Sequence, residues 1–532
     1  MSHTVRNPAT SKDEHFDSSG TGVASDPFIP STGIRWSDDA LFDSFNRLRI
    51  SQARTTLDAQ HHYGQTHELF TGMAGAAITS ISIGANALVT MPSAHGLVAG
   101  NIVRFVNRGG ALPGGITQGR VYFVIATGLT TTAFEFSETE GGPAVTTTGS
   151  NTGTTSVLSQ ELICTEAGTL VDSTVDSSLI LNVTSTPGSI YINRSQRQYY
   201  ISGQSHLSEA TFNMGTFVPG IRTSVGYNDF DDGLRFERDA TTGELSIIIR
   251  SSTSGSVDDS RVFKQSEWNV DRLDGSKASG GTLNPSGITV DWTKVQLVGI
   301  DLQWFGVGRI RWFISYQGAP ILIHETSHTN VNDVVYMQNP HLPISYEIEN
   351  VSAASSATFK QICAASFTEG MEPASIYKHT VNNDSTTVAL VSTAYRNVIS
   401  IRPRQFFRNK QNKGMIVPLT ITLNNTGLNA LIFKVIADGT VVGTYTPHNT
   451  TESIMEVCIG TAGTYTAGTG IAKDSDYVNS SSPLSGIGVG IFDQRYRLQI
   501  DAAGYPDSIT IVAKSISGST SVLAKLTVEE LR

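Results

Sequence analysis

Val295 to Asn350 reads VQLVGIDLQWFGVGRIRWFISYQGAPILIHETSHTNVNDVVYMQNPHLPISYEIEN, and its patterning decides the fold. Ile310, Trp312, Ile314 and Tyr316 alternate with Arg309, Arg311, Phe313 and Ser315. Successive side chains of a strand point to opposite faces, so one set lies on a core face and the other outward. Gln317-Gly318-Ala319-Pro320 supplies a turn, and Ile321-Leu322-Ile323 can pair back as the second arm of a hairpin. Upstream, Val295, Leu297, Ile300, Leu302 and Trp304 form an apolar run ending in the loop Gly306-Val307-Gly308. Pro340 and Pro343 bracket His341-Leu342. Proline cannot donate to a ladder, so that piece is not an ordinary central strand. Ser345 to Val351 alternates again. This is the pattern of the middle of a large antiparallel sandwich. Its residues read as structural, and no nucleophile–base pair stands out among them.

The chain has 532 residues, more than one hydrophobic core normally serves, so two to four domains are expected. Charged residues make up only 16% and the net charge is −10, which argues against a nucleic-acid partner. Abundant Gly, Thr, Val and Ile suit short strands joined by tight turns, and long helical stripes are nearly absent. Cys164, Cys363 and Cys458 are far apart and odd in number, so buried thiols are expected rather than a disulfide framework or a zinc site. The first twenty residues contain no apolar signal-like core, and no apolar run is long enough to span a bilayer. Synthesis in a cytosol without export or membrane insertion is the expectation.

The fold class expected is all-β, divided into four parts. Residues 1–35 are polar and form an extended N-terminal arm that cannot bury enough surface to fold alone. Residues 36–76 with 157–373 form a jelly-roll-like, lectin-like β-sandwich. Residues 77–156 form an inserted small β module, rich in Gly turns between short strands. Residues 376–532 form a second, C-terminal β-sandwich. Asp38 or Asp39 can cap a short helical turn through Phe45, and 523–532 reads as a terminal helix. Gly233 to Ser251 reads as a display hairpin.

FDSFNRLRIS followed by TTLDAQHHY resembles a recurrent opening of tailed-phage virion proteins. SEWNVDRLDG, DLQWFGVGRIRW and VVYMQNPHLPISYEIEN look like downstream segments of the same family. The likeness covers roughly residues 36–76 and 160–370. SAHGLVAGNIVRF, LPGGITQGRVYFVI and AFEFSETEGGPAVTTTGSNTG resemble a small module of phage tail and fibre proteins. The resemblance implies a structural, non-enzymatic virion protein of tail, baseplate, collar or fibre. It would assemble with copies of itself and with other virion proteins. Capsid decoration is the second position. The rival class is a protein that binds or depolymerises carbohydrate, with a host surface glycan as partner.

Several side-chain groups could carry chemistry. Asp229, Asp231 and Asp232 lie in NDFDDG, the best calcium candidate because hard cations want several carboxylates in one loop. The loop lacks a distal glutamate, and Asp before Gly is also an ordinary turn, which is the favoured reading. His61, His62 and His67 cluster in sequence, but adjacent residues of an extended segment face opposite ways. Asp258, Asp259, Glu267, Asp271 and Asp274 raise a glycosidase question that turns on carboxylate separation. No hydrolase elbow, zinc-protease motif or phosphate loop is present, and no cofactor is expected. Arg402, Arg404, Phe406, Phe407 and Arg408, continuing to Lys410 and Lys413, form the one concentrated basic patch. It reads as a charged loop docking against an acidic neighbour. With Phe28, Ile29 and Trp36 of the arm region, the first five residues of that patch are the interface candidates.

Overall fold

The structure, a computed structural model, describes residues 53–62, 69–275, 284–369, 377–383, 386–480 and 497–532. Before them it places the backbone of three strands, Ser2–Arg6, Asp13–Ser19 and Ile29–Pro30, which pair antiparallel with one another. Phe28, Trp36, the 38–45 turn and His67 lie outside the described residues, and Ile29 is placed by its backbone alone.

The first sandwich is all-β. Its Ile310–Tyr316 strand pairs with Ala319–Thr326 and, on its other side, with Gln296–Leu302. The connection is only Gln317-Gly318, both at positive φ, which turns the chain within two residues. Pro320 is accommodated because Ala319–Thr326 is the last strand of its sheet and needs no further partner. Trp312 is fully buried and meets Phe236 of the facing sheet edge-on at 5.5 Å. The facing sheet runs in space from Asp258–Lys264 through Leu245–Ser251, Gly233–Arg238, Ile221–Asn228, Ile344–Asn350 and Ile190–Ser195 to Phe70–Ala77. The 233–251 hairpin is thus built into this sheet and buried along both strands, not held out for display.

The sheet does not stop at the expected insertion boundary. Thr154–Ser159 pairs with Phe70–Ala77 on one side and with Ile102–Arg108 on the other. Val103, Phe105, Tyr122, Phe134 and Phe136 belong to the same buried cluster as Trp312 and Tyr346. Alternating sequence marks strands but does not say which edge they join.

The C-terminal part is a second sandwich. A sheet of Lys378–Asn382, Ser519–Leu531, Val388–Val391 and Met415–Asn425 faces a six-stranded sheet that includes Arg396–Pro403, Ile509–Ser515 and Leu431–Ala437. The helix expected at 523–532 is a strand instead. Val522, Ala524, Leu526 and Val528 are buried at every second position, and the strand pairs with Met415–Asn425. A period of two buries these residues only in an extended chain.

Candidate functional site

The broad outward face of the first sheet is where the structure concentrates charge. In Gly233–Arg238 and Ile344–Asn350, core residues alternate with Arg or Glu. Phe236 is flanked by Arg235 and Glu237, and Ile348 by Glu347 and Glu349. Because the strands pair in register, these side chains meet across the sheet. Arg194 reaches Glu347 at 2.7 Å, and Arg222 reaches Glu349 at 2.6 Å and Glu237 at 2.9 Å. Arg235 joins Glu237 at 2.8 Å and Asp259 at 3.1 Å, and Arg250 joins Asp259 at 2.8 Å. Arg108, from the inserted region, closes on Glu349 at 3.1 Å. Burial opposes ionisation of these acids, but the arginines outweigh it. Glu237 is held at about 2, with Arg235 and Arg222 as the main stabilising charges. Glu347, Glu349 and Asp259 are also held below the carboxylate range by their arginines. A carboxylate so paired stays ionised and is a poor proton donor.

The Asp229–Gly233 loop is drawn into the same system. Lys413 of the C-terminal part places Nζ 2.7 Å from Asp229 and 3.0 Å from Asp231. Arg197 adds a contact to Asp229 at 2.7 Å. Burial disfavours the Asp229 charge, yet Lys413 and Arg197 hold its carboxyl well below the usual range. Asp232 accepts the N–H groups of Gln338 and Ser252. An ammonium therefore sits between two of the three carboxylates of the calcium candidate. The expected acidic neighbour of the basic stretch, for Lys413, is this chain's own loop. Among the described residues no group of three or more His, Cys, Asp or Glu could hold a metal ion.

Arg402, Arg404 and Arg408 are tied down within the C-terminal part. Arg402 meets Glu456 at 2.5 Å and lies over Tyr445 at 3.9 Å. Arg404 donates to the carbonyls of Thr450 and Ser453, and Arg408 to that of Thr451. Phe407 is half-buried beneath Arg404, Arg408 and Arg532, while Phe406 faces Arg120 of the inserted region. His61 is buried against Gln361 and pushed down to about 4 by burial, whereas His62 is exposed. The glycosidase candidates are each held by local contacts. Asp259 belongs to the arginine lattice, Asp271 accepts from the backbone of Leu273 and Ser286, and Glu267 accepts from that of Lys264. Cys164 and Cys458 are buried and Cys363 is half-buried, all as thiols.

Beside the lattice, a cleft of about 690 Å³ separates the first sheet from the C-terminal part. Its sandwich wall carries Arg104, Arg194 and Phe230, and its other wall Lys473, Arg497 and Tyr505. The 502–505 segment seals one side, packing Ala503 and Tyr505 against Val106, Leu158 and Ile192. The Tyr505 hydroxyl donates to Glu161 at 2.5 Å and accepts the Ile102 N–H at 3.1 Å. Sequence reading missed both the lattice and the cleft. The lattice had a signal, the charged residues at every second position in LRFER and YEIEN, but its meaning depends on strand order.

No family model and no curated protein matches the chain. Among solved structures, a Bacillus licheniformis beta-glucanase is similar at 13% identity and TM-score 0.25, covering 38% of this chain and 82% of that one. An endo-1,3-beta-glucanase from Streptomyces sioyaensis is similar at 8% identity and TM-score 0.24, covering 38% and 81%. The VIP36 exoplasmic/lumenal domain, in a Ca2+/Man3GlcNAc-bound form, is similar at 9% identity and TM-score 0.24, covering 39% and 84%. Likenesses at these scores carry no argument about activity. The chain is an all-β protein of jelly-roll and sandwich architecture.

Proposed function

We propose that the chain is a non-enzymatic structural component of a tailed-phage virion, placed in the tail, baseplate, collar or fibre and acting through protein–protein assembly. The reading starts from the resemblance of residues 36–76 and 160–370 to virion proteins. The observation that carries it is the fate of the carboxylates on the broad sheet face. Glu237, Glu347, Glu349 and Asp259 are each matched by arginine. That arrangement favours a rigid scaffold over acid–base chemistry, which needs a carboxyl poised to exchange a proton. Arg402, Arg404, Phe406, Phe407 and Arg408, with the 1–35 arm, are the surfaces proposed for assembly. The test is mass spectrometry and cryo-electron microscopy of purified particles carrying this gene. The chain should be found at stoichiometric copy number in a symmetric position. Its absence from washed, infectious particles would sink the proposal.

One observation favours the recognition reading. Phe305 is 51% exposed and sits at φ 36°, a conformation costly for a non-glycine residue and frequent at functional sites. Val331 and Val334, in the loop that hydrogen-bonds back to Gly306, are also exposed. A glycan array probed with the wild type and with Phe305→Ala tests this. Retention of one glycan family by the wild type alone would support recognition, and no retention would remove it.

A further inference from the structure

We propose that the cleft between the two sandwiches binds an oxyanion carried on a small hydroxylated molecule, with Arg104 as its anchor. The proposal stands apart from the virion reading. Arg104 lies on the outward face of Ile102–Arg108 and is only 2% exposed. Its Nη1 donates to the Gly119 carbonyl, and its guanidinium lies 5.1 Å from the Phe230 ring centre. Its Nε is buried with no hydrogen-bond partner. Among the described residues no carboxylate pairs with it. Its neighbours differ: Arg108, Arg194, Arg197, Arg222, Arg235 and Arg250 each have a carboxylate within 3.1 Å. A buried guanidinium without a counterion is unfavourable, and an apolar residue of similar size would avoid the cost. An anion in the cleft offsets it.

The surroundings agree. Burial and the nearby charges of Arg194 and Arg197 push Arg104 down to about 10, so it remains charged at neutral pH. Asp231 and Asp501 are the acids whose charge it feels, and both are engaged elsewhere. Asp231 is held by Lys413 at 3.0 Å, and Asp501 accepts the N–H groups of Gly504 and Tyr505 at 2.7 and 2.8 Å. Burial pushes Asp501 up to about 6, so its repulsion of an anion, present at pH 7, is lost in mild acid. The volume, about 690 Å³, is within the range of small-molecule sites, roughly 300–1,000 Å³, and exceeds what bare phosphate fills. Gln160 and the Tyr505 ring line the same space and suit hydroxyl groups and a ring face. The ligand chemistry is therefore a carboxylate or phosphate on a sugar-like body.

The test uses the full chain at pH 7, with thermal shift and calorimetric titration against glucuronate, glucose 6-phosphate, inorganic phosphate and glucose. Stabilisation by glucuronate or glucose 6-phosphate, and not by glucose, is expected, and the stronger of the two identifies the oxyanion. Arg104→Gln should abolish the shift while leaving the unliganded melting point unchanged or higher, because no ion pair is lost. Arg104→Lys keeps the charge but not the planar fork, and should weaken binding about tenfold. If Arg104→Gln does not fold, Arg104→Lys alone carries the comparison. A full response to inorganic phosphate alone would overturn the sugar-like body. A response to glucose equal to that of the anions, no response to any anion, or a shift unaffected at Arg104 would each overturn the site.

Discussion

At the scale of the residue, burial decides which side chains matter. Trp312 has no exposed surface and packs against Phe236. Trp312→Ala should lower unfolding stability by about 3–5 kcal/mol, read from urea denaturation at unchanged m-value. An unchanged midpoint would mean that the indole is not part of the core. The titratable groups give a pH profile with a definite sign. His61, His206 and His324 are held at about 4 by burial, and the unfolded chain takes up their protons near 6.5. Their contribution is therefore complete above about pH 6.5 and declines as pH falls towards 4. Glu237, at about 2, and its depressed neighbours add stability above their unfolded values near 4.3, which is lost between there and about pH 2. Asp501, raised to about 6, opposes this, together with Asp507, Asp232 and Glu209, which burial also raises. Chemical denaturation from pH 8 to 3 should show a plateau, then a fall beginning near pH 6.5 and steepening below about 4.3. Stability that rises steadily into acid would contradict the burial of these histidines.

At the scale of the element, the inserted region is the informative case. Its strands looked self-contained because each Gly-rich turn closes a short alternating run. In the structure Ile102–Arg108 is the next rung of the main sheet, and Arg108 supplies a charge to Glu349. Replacing residues 79–153 with a Gly-Ser linker preserves the register Ala74↔Ser159 to Ala77↔Ser156. The remainder should fold cooperatively but unfold at lower urea, because Glu349 loses one arginine and the sheet gains an exposed edge. Aggregation during refolding would show that the region is required for the core to close.

At the scale of the whole molecule, the contact between the sandwiches rests on Lys413, on the 501–505 segment and on the Arg197 N–H donating to Gln499. Removing one partner of a buried ion pair typically costs about 3–5 kcal/mol. Lys413→Ala should therefore uncouple the two cores, and calorimetry should resolve two thermal transitions where the wild type gives one. A single transition at an unchanged temperature would show that Lys413 is dispensable to the docking. Truncation of residues 1–35 should leave the melting of both sandwiches unaltered and reduce incorporation into particles. Normal incorporation would end the assembly role proposed for the arm.

The sequence by itself determined the all-β class, a hairpin turning within 317–320 and the burial of Trp312, because a period of two has one physical solution at each of these places. It also marked Pro340 to Pro343 as a break in the strands, since proline cannot join a ladder. It did not reveal that 523–532 is a strand, because Leu, Lys and Glu there suit a helix until a partner strand is present. Nor could it show that Asp229 and Asp231 face Lys413 rather than a metal, for those residues are far apart in the chain and meet only when the two sandwiches dock. The arginine lattice and the isolated charge of Arg104 are likewise tertiary facts. Which carboxylate lies opposite which arginine depends on strand order and register, and alternation along one strand carries no record of its neighbour.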